Sequence, residues 1–100
     1  MMKKVLVTGS SGFLGISVCK ELEISGYFVD TFDIAEGKDI LCFEQIVRAL
    51  EDCELCIHLA AVADLYDADL NPNQCKNINI NGTSNVAQAC LKMGVRLLYA

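Results

Sequence analysis

The chain has 100 residues, 53% hydrophobic and 21% charged, with a single proline. That length makes one small domain or part of one, and the composition excludes a disordered or low-complexity chain. A net charge of −5 with no basic run argues against nucleic acid and anionic membrane as partners, and no apolar run approaches the ~18–20 residues of a membrane span.

The opening Met1-Met2-Lys3-Lys4 followed by apolar residues imitates a secretory leader. Gly9, Gly12 and Gly15 interrupt its would-be apolar core and no small-residue cleavage site follows, so a cytoplasmic protein is expected. Residues 3–8 form a short apolar run rich in β-branched residues and predict the first strand. The next stretch, Gly9-Ser10-Ser11-Gly12-Phe13-Leu14-Gly15, breaks into three glycines spaced three apart. It leads into Phe13, Leu14, Val18 and Leu22 at helical spacing, which stop at Gly26.

Strand, glycine turn and helix start in that order form a phosphate-binding pattern. Gly9 lets the chain turn off the strand. Gly12 removes a Cβ where a ligand must approach the backbone. Gly15 lets the helix lie close on the sheet. The free N–H groups of the first helical turn, backed by the helix dipole, then suit a pyrophosphate.

Tyr27 to Phe32 reads as a second strand ending at Asp33. Asp30 within it suggests an edge or solvent-facing position. Asp33 lies 18 residues past Gly15 at a strand's carboxyl end, where a carboxylate can accept hydrogen bonds from ribose hydroxyls. It would repel a 2′-phosphate, and Lys38 is the one nearby cation that could offset this, so NAD is favoured over NADP.

Phe43 to Leu50 is amphipathic, with Ile46, Val47 and Leu50 on one face. Leu55 to Ala60 is apolar nearly throughout, as a buried parallel strand should be. Asp64 to Asn71 reads as a polar loop, and Pro72 suits the start of a helix. Asn73 to Met93 carries one long helical pattern ending at Gly94, and Val95 to Ala100 begins a fourth strand. A chain that stops on an apolar strand would leave an exposed edge, so a piece of a longer protein is expected. Strand–helix alternation predicts an α/β fold with a doubly wound parallel sheet of Rossmann type.

His58 is the only histidine. It lies inside an apolar strand, which favours a hydrogen-bonded core residue over a catalytic one. Small residues at the end of that strand leave room for a ligand above the sheet. Asn77, Asn79 and Asn81 cannot all share one helix face, so one of them is expected to face the crevice. Six cysteines sit within apolar patterns, where reduced Cys acts as a small hydrophobe. Cys53-x-x-Cys56 has no second Cys or His pair to complete a metal set, so packing is the expected role.

Thr8 to Gly15, Asp33, Asp39-Ile40, His58-Leu59-Ala60-Ala61 and Asn79 to Asn85 resemble, in order and rough spacing, the NAD-dependent epimerase/dehydratase family. This is the extended branch of the short-chain dehydrogenases/reductases, and the resemblance covers essentially the whole chain. It implies that Ser11, Gly12, Phe13 and Leu14 hold the pyrophosphate through their backbone and that Asp33 holds the adenosine ribose. Asp39 and Ile40 would contact the adenine. Leu59, Ala60 and Ala61 would line the nicotinamide side, and Asn79 is similar to the family's helix Asn near the active site.

The resemblance also implies a nucleotide-sugar substrate, a homodimer, and a catalytic Ser or Thr and a Tyr-x-x-x-Lys pair beyond Ala100. The family usually has a helix and a strand between the positions of Asp33 and Asp39, where this chain has five residues. The third family strand is therefore expected to be missing or vestigial. The expected strand order is 2-1-4-5 by family numbering. The rival readings are a non-catalytic NAD-sensing regulator on the same fold and an α/β interaction module with no ligand.

Overall fold

The computed structural model describes residues 3–60 and 72–99. Four strands, β1 (Lys4–Thr8), β2 (Phe28–Phe32), β3 (Cys53–His58) and β4 (Arg96–Tyr99), form one sheet in the order β2-β1-β3-β4. Every pairing is parallel. This is the expected Rossmann-type order. The helices are α1 (Phe13–Ile24), α2 (Phe43–Ala49), α3 (Pro72–Asn77) and α4 (Thr83–Met93).

β1 is the spine of the sheet. Val5, Leu6 and Val7 are all fully buried, each worth about 1.5–3 kcal/mol relative to exposure. Successive side chains leave the strand on opposite faces. Val5 and Val7 join Cys19 of α1 and Ile57 on one face. Leu6 joins Ile46 of α2, Val86 and Cys90 of α4, and Phe32 on the other. The helices thus cover both faces, and β1 is buried on each side as the apolar run demanded.

β2 lies at the edge of the four-stranded sheet. Its Asp30 is half-buried and 3.5 Å from the Lys4 ammonium, which also donates to the Glu51 carbonyl. The polar break in the apolar run therefore marks an edge strand, as expected. Between β2 and α2 the chain makes only a single 3-10 turn, Ile34–Glu36, and no strand. The third family strand is absent from this segment.

Two elements differ by more than a residue at an end from the sequence reading. β3 runs over Cys53–His58 rather than Leu55 to Ala60. The Leu59 N–H still donates to the Thr8 carbonyl at 3.1 Å but also reaches the Thr8 hydroxyl, and the Ala60 N–H turns to that hydroxyl, where the ladder ends. The long helix expected over residues 73–93 is interrupted at Ile78–Gly82 by a π turn, with α3 before it and α4 after it. The polar loop expected over residues 64–71 lies outside the described residues, but Pro72 does open α3.

Candidate dinucleotide site at the carboxyl edge of the sheet

β1 has its sequence-next neighbour β2 on one side and β3 on the other. The crevice above the carboxyl ends of β1 and β3 is therefore the topological switch point, where open α/β sheets bind ligands. The glycine turn follows β1, Asp33 follows β2, and Leu59-Ala60 follow β3, so all three meet at this edge.

The three glycines separate into different jobs. Gly9 has φ +71°, a left-handed conformation that favours glycine. A Cβ there would also sit 2.7 Å from the Ala60 nitrogen, so Gly9 lets the turn lie against the end of β3. A Cβ on Gly15 would stand 2.0 Å from the Gly9 carbonyl oxygen and 2.8 Å from Ser10 Cα. Gly15 thus seats α1 on the turn itself, rather than on the strands. Gly12 is different. A Cβ there would meet only the Gly9 carbonyl, at 3.4 Å, so nothing in the protein's own packing requires a glycine. The space above it is open to a ligand.

Gly12 is also the N-cap of α1, and no side chain caps the helix. No acidic residue occupies the first turn. The Gly12 N–H donates to the Gly9 carbonyl at 3.1 Å. The N–H groups of Phe13, Leu14 and Gly15 have no backbone acceptor among the described residues. Three orphan donors at a positive helix end suit an anion. The Ser10 hydroxyl is buried in the same turn without a hydrogen-bond partner among the described residues. An unpaired buried hydroxyl costs about 1–3 kcal/mol. These observations fit the residues to a pyrophosphate-bearing cofactor.

The Ser11 N–H is committed elsewhere. It donates to Asp33 Oδ2 at 3.0 Å, while the Ala35 N–H donates to Asp33 Oδ1 at 2.9 Å. Asp33 therefore ties the glycine turn to the 3-10 turn. Each carboxylate oxygen keeps capacity for a further donor such as a ribose hydroxyl. The expected pyrophosphate stretch from Ser11 to Leu14 is thus divided: Ser11 fixes Asp33, and the first turn of α1 faces the open space. Sequence reasoning missed this bridge, because nothing in spacing alone links Ser11 to Asp33.

Lys38 donates to the Thr31 carbonyl at 2.9 Å and lies 3.9 Å from the Glu36 carboxylate. Glu36 also accepts from the Thr31 hydroxyl. The one cation expected to offset a 2′-phosphate is held by this acidic partner and the end of β2.

The Asp39 side chain accepts from the Leu41 N–H at 2.9 Å. Ile40 is buried, with its side chain in the core against Gly82 and its carbonyl accepting from Asn85 at 3.1 Å. An adenine contact at Ile40 would therefore be made by its N–H and not its side chain. Phe13 is 94% exposed and Leu14 is also exposed, so both offer backbone donors rather than walls. Leu59 and Ala60 are half-buried at the end of β3. Ala61 lies outside the described residues. Asn79 is half-buried within the π turn, a feature that often marks functional sites. Asn77 and Asn81, four apart, hydrogen-bond to each other. Those two share a face while Asn79 does not.

His58 is buried and hydrogen-bonded at both ring nitrogens, to Thr8 Oγ1 at 2.7 Å and Thr83 Oγ1 at 3.0 Å. Burial pushes its pKa below the ordinary 6.5. The expected core histidine is what the structure shows. Cys56 is held well above the ordinary thiol range by its hydrogen bond to Cys90 and by burial. Cys53 is raised by burial and donates to the Ala49 carbonyl. Protonated buried thiols are poor nucleophiles and metal ligands. The Cys53-x-x-Cys56 pair is thus packed as expected. Among the described residues no group of three Cys, His, Asp or Glu could hold a metal.

Residues 27–100 match the 3-beta hydroxysteroid dehydrogenase/isomerase family. The chain belongs to this family. The match agrees with the resemblance to extended short-chain dehydrogenases/reductases and NAD-dependent epimerases/dehydratases. Short-chain dehydrogenase/reductase family 42E member 1 of Mus musculus is 32% identical over 111 residues, covering 95% of this chain and 28% of that protein. The inverting UDP-N-acetylglucosamine 4,6-dehydratase of Campylobacter jejuni is 30% identical over 118 residues, covering 98% of this chain and 35% of that protein. The solved UDP-glucose 4-epimerase of Brucella ovis, a complex with NAD, superimposes with a TM-score of 0.85 at 26% identity. The superposition covers 97% of this chain and 35% of that one. This chain thus spans about a third of the length of its relatives.

Proposed function

We propose that this chain is the NAD-binding N-terminal part of an epimerase/dehydratase-type oxidoreductase acting on a nucleotide sugar. The observation that carries this reading is the convergence at the switch point. An uncapped helix end, a Gly12 whose missing Cβ would meet only the Gly9 carbonyl among the described residues, and a carboxylate fixed by two N–H groups lie along one edge. The first turn of α1 would hold the pyrophosphate. Asp33 would accept from the adenosine ribose, with Asp39 and the Ile40 backbone beside the adenine. Leu59, Ala60, Ala61 and Asn79 would flank the nicotinamide side.

NAD, when bound, supplies hydride transfer at its nicotinamide ring. This chain's residues bind and orient it. The proton-transfer residues, a Ser or Thr and a Tyr-x-x-x-Lys pair, would follow Ala100, consistent with relatives about three times longer. The non-catalytic regulator is the weaker reading, because these named relatives are a dehydratase and an epimerase. The family's own description favours a second substrate class, a 3-hydroxysteroid.

The five described cysteines outside α3 are free thiols, which suits a reducing compartment and supports a cytoplasmic protein. No helix among the described residues is long and apolar enough to cross a membrane. A homodimer, as in the family resembled, is part of the same proposal.

Calorimetric titration of the full-length protein with NAD and NADP tests the cofactor reading. NAD should bind more tightly, because Asp33 and Glu36 oppose a 2′-phosphate. Tighter NADP binding would overturn it. Turnover of a UDP-sugar panel beside a 3-hydroxysteroid decides the substrate class.

A further inference from the structure

The hydrogen-bond chain beneath the crevice fixes where its protons are. Thr8 Oγ1 touches three groups: the Leu59 N–H at 3.0 Å, the Ala60 N–H at 3.1 Å and His58 Nδ1 at 2.7 Å. The two backbone groups can only donate. The Ala60 N–H takes one lone pair of the hydroxyl, and the Leu59 N–H is shared between that oxygen and the Thr8 carbonyl at 3.1 Å. The hydroxyl's single proton then has His58 Nδ1 as its acceptor. Nδ1 is then the acceptor, and the ring proton sits on Nε2, donating to Thr83 Oγ1 at 3.0 Å. One tautomer satisfies every member. An imidazolium would turn an Nδ1–H toward Thr8 Oγ1 and take away the acceptor of the Thr8 proton.

The chain joins four elements. Thr8 ends β1, His58 ends β3, Leu59 and Ala60 form the crevice edge, and Thr83 opens α4 directly after the π turn that carries Asn79. The Tyr99 ring of β4 stacks on the imidazole, with centroids 5.8 Å apart. Tyr99 is the one titratable group shown against the ring. The bonds from β1 and α4 come from hydroxyls, and no charged side chain among the described residues bonds to it.

We propose that His58, as the neutral Nε2–H tautomer, is a positioning residue that locks Leu59-Ala60 and the start of α4 around the nicotinamide side of the crevice. Adding a proton to the ring releases that lock and weakens cofactor binding. This rests on the NAD reading above. His58 is buried and acts through Thr8, whose hydroxyl holds the Ala60 N–H and shares the Leu59 N–H with the Thr8 carbonyl. Burial, which already disfavours the charged ring, keeps the lock closed near neutral pH.

The test has two arms on the full-length protein. Nitrogen-15 NMR of the imidazole, with hydrogen exchange at the Ala60 amide, needs no cofactor. It should show a proton on Nε2 alone and a protected Ala60 amide that opens as the ring titrates, while the Leu59 amide keeps its Thr8 carbonyl. The second arm is NAD affinity from pH 7.5 down to 5, with circular dichroism confirming the fold. Wild type should lose up to about tenfold per pH unit below the ring's pKa, the limit for one linked proton.

His58→Gln places an acceptor and a donor at nearly the same spacing without titrating. It should keep most of the affinity and lose the pH dependence. His58→Leu should bind weakly at every pH. A proton on Nδ1, exchange unaffected by ring titration, or an unchanged pH profile in His58→Gln would overturn the proposal. Absence of NAD binding by folded wild type at pH 7.5 would overturn the cofactor reading instead, and the first arm would still decide the lock.

Discussion

The two sides of the crevice are built by different means. On the β1–β2 side the backbone makes the site: Gly9 and Gly15 bring main chain against main chain, and the Ser11 and Ala35 N–H groups hold Asp33. On the β3–α4 side, side chains make it, through Thr8, His58 and Thr83. The first side is a steric solution, which tolerates no added atom at Gly9 or Gly15. The second is a polar solution, which tolerates no lost partner. The first side therefore breaks on adding a methyl group and the second on removing a hydroxyl or adding a proton.

The largest effect should follow from Gly15→Val. Its Cβ would start 2.0 Å from the Gly9 carbonyl oxygen, and the backbone cannot yield without lifting α1. We expect a loss of about 3 kcal/mol or more, read from urea unfolding. A variant as stable as wild type would mean that α1 is free to move away from the turn.

Thr8→Val attacks the other side at nearly constant shape. It strands the Ala60 N–H and His58 Nδ1 in a buried site and should cost about 2–3 kcal/mol by the same unfolding measurement. A neutral outcome would show that other groups satisfy them.

Asp33→Ala should lower NAD affinity about tenfold, the worth of one or two hydrogen bonds to a charged acceptor. It should also narrow the gap to NADP. Parallel titrations of both cofactors check this, and an unchanged ratio would separate Asp33 from the ribose.

Acidification should have the smallest effect and act on the β3 side. The folded pKa of His58 lies below its unfolded value of 6.5. Below pH 6.5 the unfolded chain binds a proton that the folded chain refuses, so this contribution is complete above pH 6.5 and declines as pH falls toward the folded pKa. Unfolding midpoints of wild type and His58→Gln, compared between pH 7.5 and 5.5, should diverge in that direction. Parallel curves would remove His58 as the cause.

The same contrast explains what the sequence could tell. The glycine turn, the strands and Asp33 were legible because strand periodicity and glycine spacing are local signals. Asp30 marked the edge strand, because a charge inside an apolar run must keep access to water or to a counter-charge. The π turn at Ile78–Gly82 was not legible. It lies where Gly82 meets the Ile40 side chain and Thr83 meets His58, contacts some 25 to 40 residues apart in the chain. The same holds for Ile40, expected beside the adenine by resemblance, whose side chain is in the core. His58 could be assigned to the core from its strand, but its two partners could not be named, since both are threonines with no spacing rule to connect them.

The most direct measurement is calorimetric titration of NAD into full-length wild type and Gly12→Val. Among the described residues a Cβ at this position meets only the Gly9 carbonyl, at 3.4 Å, so thermal unfolding should be nearly unchanged. Its side chain would fill the space assigned to the pyrophosphate. NAD affinity should fall by about a hundredfold or more, equivalent to roughly 2.7 kcal/mol. Normal NAD binding by a folded Gly12→Val protein would place the phosphates away from this turn and contradict the account.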